Sequence, residues 1–207
     1  MKKIFTIFIF FSGCGIYLMN SNTQKLEEKA KEISAPSPSK EIFGGDFHIF
    51  AIEKNISLSL SGNLGYSWAG EAKVYQNYEI GTETKFTNFQ GFCEIGVIPF
   101  KGKIIFHPYF GIGGGVISAE IYGISRNMHI DYGYPAFTVG LKFLIPFEKK
   151  IYKKNFYPSF YLKTSYIFSF YEFFNGPQIS FGYSLNVPPE GIIASILGGI
   201  IMIGGGR

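Results

Sequence analysis

The chain has 207 residues and a net charge of +4, with 16% charged and 18% aromatic residues, a length that suits one domain with short appendages. Helical membrane spans are excluded because they need about 20 consecutive apolar residues, whereas Gly, Ser, Thr, Asn or a charge interrupts every internal apolar run. The small basic excess forms no stripe interleaved with stacking positions, which argues against a nucleic-acid partner.

Residues 1–14 are predicted to be an export signal. Two lysines precede the apolar run 4–11, and small residues follow it, which is the order found in bacterial signal peptides. Residues 11–14, Phe-Ser-Gly-Cys, resemble a lipoprotein lipobox with Phe where Leu is usual, so Cys14 is a lipidation candidate. The alternative is an ordinary signal peptide that contains a cysteine. Cys93 then has no partner, which excludes an intramolecular disulfide framework.

Residues 15–42 are predicted to be a flexible tether. The segment is rich in charged residues, Pro and Ser and has few aromatics. Such a composition buries too little apolar surface to offset the entropy of ordering. About two helical turns are expected at 24–33.

Residues 43–187 are predicted to form a β-barrel, because a period of two begins at Phe43. In the segment 56–68 the apolar residues Ile56, Leu58, Leu60, Leu64, Tyr66 and Trp68 alternate with Ser57, Ser59, Ser61, Asn63 and Ser67. This register is longer than an ordinary strand of about 5–6 residues. It fits a tilted strand that crosses a bilayer, which needs about 9–11.

The same alternation recurs in four later segments, with large apolar residues on one face and small or polar residues on the other. These segments are 108–117, 136–147, 158–171 and 178–187. A soluble lipocalin-like barrel would turn the apolar face inward. Three features favour the opposite arrangement: the second face carries Gly, Ser, Thr and Tyr instead of Lys and Glu, aromatics crowd towards the strand ends as in interfacial girdles, and an export signal precedes the barrel.

One short motif gives a resemblance to known proteins. Residues 108–115, Pro-Tyr-Phe-Gly-Ile-Gly-Gly-Gly, resemble the Pro-Tyr-x-Gly-x-Gly-x-Gly strand of small outer-membrane barrels of the OmpA/OmpX/OmpW-like class. Alternate inward glycines there make room in a narrow lumen. The chain departs from that class at its C-terminus. Such barrels commonly end on an aromatic residue, whereas here the last clear strand ends at Val187 and the apolar, Gly-rich tail 188–207 follows.

An all-β, antiparallel, up-and-down transmembrane barrel of eight strands is therefore expected. The strands are predicted at about 44–52, 56–68, 72–84, 89–98, 104–122, 134–147, 156–172 and 177–187. Residues 101–103 and 148–155 become periplasmic turns, and 122–133 and 173–176 extracellular loops. The alternative for residues 69–90 is one long extracellular loop, in which case the tail would have to supply a strand.

The strand registers point four charged residues into the lumen: Glu79, Glu94, Lys142 and Lys163. An eight-stranded barrel has an interior just wide enough for side chains to fill, and buried charges are costly unless paired. A salt-bridged plug is the structural interpretation. The functional alternative is a narrow path for ions or solutes.

The expected function is an outer-membrane barrel with a structural or surface-interaction role and no enzymatic activity. Its expected partners are outer-membrane lipid, the barrel assembly machinery and an unidentified extracellular partner. The alternatives are a small channel or carrier, as in the OmpW-like branch, and a lipid A-modifying enzyme using Ser125, His129 and Asp131. Those three residues share one loop, whereas a triad needs convergent geometry. No metal or other cofactor is expected, because no His/Cys pair has ligand spacing.

Overall fold

The computed structural model describes residues 15–75, 78–99, 102–147, 157–170 and 174–188, together with residues 190 and 192. Within these residues no helix is long and apolar enough to cross a membrane. The chain forms the following elements in order: β1 (Gly15–Asn20), α1 (Gln24–Glu32), β2 (Glu41–Glu53), β3 (Ile56–Tyr75), β4 (Tyr78–Val97), β5 (Ile105–Tyr122), β6 (Asn127–Pro146), β7 (Tyr157–Ser169) and β8 (Gly176–Asn186).

The eight strands follow one another around a closed barrel, which confirms the predicted fold class. Neighbouring strands in the chain are antiparallel. The seam is formed by the short β1, which pairs with both β2 and β8. Where β1 is absent from the seam, β2 and β8 pair directly in parallel, with Ile49 opposite Leu185 and Phe50 opposite Asn186.

The two ends of the barrel differ. One end carries α1 and the connections β1–β2, β3–β4, β5–β6 and β7–β8; we call it the α1 end. The opposite end carries the connections β2–β3, β4–β5 and β6–β7. The predicted extracellular loops fall at the α1 end and residues 102–103 fall at the opposite end. The predicted turn 148–155 and most of the tail 188–207 lie outside the described residues.

The prediction of separate strands at 56–68, 72–84 and 89–98 is wrong, because this part of the chain forms two strands and not three. Residues 56–97 form two strands of 20 residues each, paired from Ile56 opposite Val97 to Tyr75 opposite Tyr78. Residues 70–72 are exposed on both faces of β3, so alternation is not required there and the sequence does not show it. Strand β6 begins at Asn127, with Ile130 and Tyr132 half-buried against the core and His129 and Asp131 exposed. The predicted loop 122–133 therefore shrinks to the connection 123–126.

The segment 15–42 also differs from the prediction of a flexible tether, because it supplies β1, α1 and the start of β2. In β1, Tyr17 and Met19 are buried in the barrel while Ile16 and Leu18 face outward. Both faces of β1 are therefore apolar, and no period of two is visible in its sequence. Strand β1 thus takes the place of the strand that residues 72–98 were expected to add.

The faces of the strands follow the predicted alternation. One outward row crosses β3 to β7 through the register partners Leu60, Cys93, Ile112, Phe137 and Phe168. The inward row beside it consists of Ser59, Glu94, Gly111, Thr138 and Ile167. Ile112 is 66% exposed, whereas Glu94 is 2% exposed. The apolar surface therefore faces outward, and the alternative of a barrel with an apolar interior is wrong.

Two apolar layers lie inside the barrel, one on each side of its polar middle. At the opposite end the layer consists of Phe50, Ile98, Ile105, Leu144 and Tyr161. Towards the α1 end a larger cluster includes Tyr17, Met19, Leu26, Phe86, Phe92, Ile117, Ala119, Tyr134 and Phe174. The polar side chains between these two layers form the candidate site.

Candidate functional site

The polar middle of the lumen is organised around the carboxylate of Glu94, on β4. Its Oε1 accepts hydrogen bonds from Ser61 Oγ at 2.7 Å and from Lys163 Nζ at 2.8 Å. Its Oε2 accepts hydrogen bonds from Ser59 Oγ at 3.0 Å and from Lys142 Nζ. A carboxylate offers about four lone-pair positions, so the hydrogen-bonding capacity of this group is filled.

Lys142 and Lys163 are register partners on β6 and β7, and both side chains are buried. Like charges directly opposite each other destabilise a sheet. Glu94 offsets this repulsion by pairing with both ammonium groups across the lumen. The Tyr109 ring on β5 has its centroid 4.5 Å from Lys142 Nζ and 5.5 Å from Lys163 Nζ, within reach of a cation–π attraction.

His48 and Asp46 extend this arrangement to β2. His48 Nε2 accepts a hydrogen bond from Lys142 Nζ at 2.7 Å. Because an ammonium group only donates, the neutral imidazole carries its proton on Nδ1, which donates to Ser184 Oγ at 2.7 Å. The Tyr161 hydroxyl donates to Asp46 Oδ1.

We call these residues the lumen charge network: Asp46, His48, Ser59, Ser61, Glu94, Tyr109, Lys142, Tyr161, Lys163 and Ser184. Every strand from β2 to β8 contributes at least one member. Within the described part of the lumen, two carboxylates and two lysines are buried, so their formal charges cancel. Paired and hydrogen-bonded charges are the form in which ionised groups tolerate burial. The network therefore cross-links the barrel wall through its centre.

Gly111 makes room for this network. It lies between Glu94 and Thr138 in the inward row. A Cβ atom at this position would lie 2.8 Å from Glu94 Cγ and 2.7 Å from Thr138 Cγ2. Gly111, one of the inward glycines of the 108–115 motif, is thus explained by crowding, as the sequence indicated.

A layer of uncharged polar side chains lies between the network and the α1 end. Asn63 Nδ2 donates to Gln90 Oε1 at 3.3 Å, and Gln90 Nε2 donates to the Tyr134 hydroxyl at 2.8 Å. The Tyr134 hydroxyl donates in turn to Asn88 Oδ1 at 2.9 Å. These hydrogen bonds link β3, β4 and β6 across the lumen.

The structure brings together three of the four charged residues that the strand registers placed in the lumen: Glu94, Lys142 and Lys163. The side chain of Glu79, and the lipidation candidate Cys14, lie outside the described part of the chain. Sequence reasoning missed Asp46 and His48. A signal for them was present, because residues 44–52 were assigned to a strand and both share its face with Phe50.

The histidine of the enzyme alternative, His129, lies away from the lumen near the start of β6, at the α1 end. His129 Nε2 and Asp131 Oδ2 are 3.0 Å apart, and both side chains are more than half exposed. Hydrogen bonds from Ser118 and His129 hold the pKa of the Asp131 carboxyl below its ordinary value. Asp131 is thus hydrogen-bonded to both Ser118 and His129. A catalytic triad needs the opposite order, with the histidine between the serine and the carboxylate. Among the described residues no three His, Cys, Asp or Glu side chains converge as metal ligands.

No protein-family model matches the sequence, and no curated protein matches it. Among solved structures the chain is similar to Ail, the attachment invasion locus protein of Yersinia pestis, in complex with the heparin analogue sucrose octasulfate. The TM-score is 0.49 at 11% identity, covering 84% of this chain and 94% of that chain. A second structure of Ail gives a TM-score of 0.43 at 12% identity, covering 84% and 97%. The resemblance in architecture to small outer-membrane barrels is confirmed by the closed eight-stranded barrel that this chain itself forms.

Proposed function

We propose that the chain is an outer-membrane β-barrel with a closed lumen, a structural or surface-interaction role and no enzymatic activity. The inverted distribution of its side chains carries this proposal. Large apolar residues cover the outside of the strands, while serines, amides and paired charges fill the inside. Apolar surface in water is unfavourable by about 25 cal/mol per Å², and a continuous apolar band around a barrel matches the hydrocarbon core of a bilayer.

The closed lumen is supported by three layers of packed side chains. The apolar layer at the opposite end, the lumen charge network and the aromatic cluster near α1 succeed one another along the barrel axis. A channel or carrier would need a path past all three. The packing therefore favours a plugged barrel over the OmpW-like alternative.

The surface-interaction role is supported by the length of the strands at the α1 end. Strands β3, β4 and β6 have 20 residues each, whereas a strand crosses a bilayer with about 9–11. The excess lies at the α1 end, since β2 and β3 turn at residues 54–55 at the opposite end. We propose that these hairpins project from the cell surface and present the partner-binding part of the protein.

A pair of lysine substitutions tests the membrane assignment. Ile112→Lys places a charge on the outward apolar row and is expected to cost about 2–4 kcal/mol of folding free energy in a bilayer. Ala72→Lys, on the exposed part of β3, is the matched control and should be nearly neutral. Fractionation and the mobility of unboiled protein on gels are the measurements. Recovery of the wild-type chain in the soluble periplasmic fraction would overturn the proposal.

Shortening the β3–β4 hairpin tests the surface role. Residues 70–83 would be replaced by a two-residue turn, joining positions 69 and 84, which are register partners. Cells displaying the full-length and shortened barrels are then compared for adhesion to host-derived surfaces. Loss of adhesion with unchanged barrel mobility supports surface interaction. Equal adhesion restricts the role to envelope structure.

Export, assembly and acylation are part of the same proposal. We expect residues 1–14 to direct export and the barrel assembly machinery to insert the chain. Labelling with radioactive palmitate tests Cys14 as the acylated residue, with Cys14→Ser as the control. Incorporation that persists in Cys14→Ser would contradict the lipoprotein assignment.

A further inference from the structure

The segment between β1 and β2 is far longer than its connection requires. Asn20 and Glu41 are register partners on adjacent antiparallel strands, so a two-residue turn could join them. The chain instead inserts residues 21–40 between them, including α1. The insertion is therefore not needed to connect β1 to β2. The surface that it covers gives the reason for its length.

The insertion covers the mouth of the barrel at the α1 end. Leu26 is 2% exposed and belongs to the same buried cluster as Tyr17, Ala119 and Phe174 of the lumen. Ala30, Ile33 and Ala35 form a second cluster with Ile121 of β5. The insertion thus packs both on the lumen and on the inner wall of the rim.

Hydrogen bonds fasten the insertion to four connections or strands around the rim. Ile124 N donates to Ile33 O at 3.1 Å, and Asn22 N donates to Asn175 O at 2.9 Å. Thr84 Oγ1 donates to Pro36 O at 2.7 Å, and Ser67 Oγ donates to Ser39 O at 3.1 Å. These bonds lie at the edge of the mouth, and the barrel ladders beneath it do not depend on them.

The insertion has little stability of its own. Helix α1 has nine residues, two of them buried, and its N-cap side chain makes no capping hydrogen bond. An isolated helix shorter than about 12–15 residues is marginal in water. The insertion is held by the buried side chains of Leu26, Ala30, Ile33 and Ala35 and by hydrogen bonds at the rim, and not by a strand ladder. Such a segment can open locally at lower free energy than the core of the barrel. Because Asn20 and Glu41 at its two ends stay paired on β1 and β2, the insertion can move off the mouth of the barrel while it remains attached.

We propose that residues 21–40 are a lid that opens and closes over the lumen while the barrel stays folded. When the lid opens, the aromatic cluster of Phe86, Tyr134 and Phe174, with the uncharged polar layer below it, becomes accessible from the α1 end. The orientation of that end towards the outside rests on the proposed function; the motion of the lid does not.

Cysteine accessibility tests the lid. The full-length chain is refolded in detergent with Cys14→Ser and Cys93→Ser, and Ala119→Cys is placed beneath the lid, where Ala119 is fully buried. A charged methanethiosulfonate reagent then reports opening. Leu26→Ala is expected to raise the labelling rate by about thirtyfold, the effect of roughly 2 kcal/mol lost from a buried leucine. Glu28→Ala, on the exposed side of α1, should leave the rate unchanged.

A second variant keeps the test decisive if Leu26→Ala prevents folding. Replacing residues 21–40 by an Asn-Gly turn should retain the folded gel mobility and label Ala119→Cys as fast as Asn127→Cys, which is exposed at the same end. Slow labelling in this lidless barrel, or an unchanged rate in Leu26→Ala, would overturn the proposal. So would labelling that rises only with loss of folded mobility. Labelling of Asn127→Cys on intact cells separately tests whether the α1 end faces outside.

Discussion

Glu94 pairs with two lysines that face each other on neighbouring strands, so we expect its substitution to lower the stability of the barrel strongly. Glu94→Gln would leave Lys142 and Lys163 opposite each other, with Asp46 as the remaining buried carboxylate among the described residues. Removing one partner of a buried ion pair typically costs about 3–5 kcal/mol. We expect a loss of this size in urea unfolding of the refolded protein.

A compensating substitution checks that charge is the cause. Glu94→Gln combined with Lys142→Gln leaves one lysine and one carboxylate, so the formal charges cancel again. The double variant should be more stable than Glu94→Gln alone. If both unfold at the same urea concentration, the loss comes from packing and the electrostatic account fails.

Gly111 allows a prediction about space. Gly111→Ala brings a Cβ to within 2.8 Å of Glu94 Cγ, so the carboxylate must move and its hydrogen bonds must lengthen. Overpacking of this kind costs about 1–3 kcal/mol, measurable by thermal unfolding on unboiled gels. Gly91→Ala is the control, because a Cβ there has nothing within 4 Å. Equal stability of the two variants would refute the crowding explanation.

At the scale of elements, β1 is the strand whose contribution is least visible in the sequence. Tyr17 is fully buried, whereas Leu18 is 47% exposed on the outer face. Tyr17→Ala should destabilise the refolded barrel by about 3–5 kcal/mol, as large aromatic truncations do. Leu18→Ala removes only surface in contact with detergent and should cost much less. The comparison is made by urea unfolding, and a reversed order would mean that β1 does not hold the seam.

The sequence predicted those elements whose two faces meet different surroundings. Strand β3 shows this from Ile56 to Trp68, where serines face the lumen and large apolar residues face outward. The prediction from alternation failed where both faces of a strand meet the same surroundings. Residues 70–72 of β3 are exposed on both faces, and in β1 both faces are apolar, so neither segment carries a period of two.

The candidate site was predictable only in part, for a related reason. Alternation fixes which side of the wall a residue faces, and that was enough to place Glu94, Lys142 and Lys163 in the lumen. It does not fix the height of one strand relative to the next. The pairing of Lys142 with His48, separated by 94 positions in the chain, depends on strand register and so required the structure.

At the scale of the whole molecule, the closed lumen that we propose predicts that the barrel does not conduct ions. The refolded wild-type barrel should show no stable single-channel openings, because the apolar layer at the opposite end and the lumen charge network remain in place. Removing the lid should not change this, since both barriers lie below it. Stable openings of the wild-type protein in planar bilayers would overturn the plugged lumen and favour the channel alternative.

The seam also has a consequence for the order of folding. Strand β8 pairs with β1 beside Gly15–Met19 and with β2 at Ile49 and Phe50, so its partners lie more than one hundred residues earlier in the chain. Contacts of such long sequence separation form slowly, because loop closure must precede any gain from pairing. We expect closure of this seam to be the rate-limiting step of folding. Until it occurs, the edges of β1 and β8, and of β2 at Ile49 and Phe50, stay unpaired and open to other chains. The late folding intermediate is therefore the species most prone to aggregate.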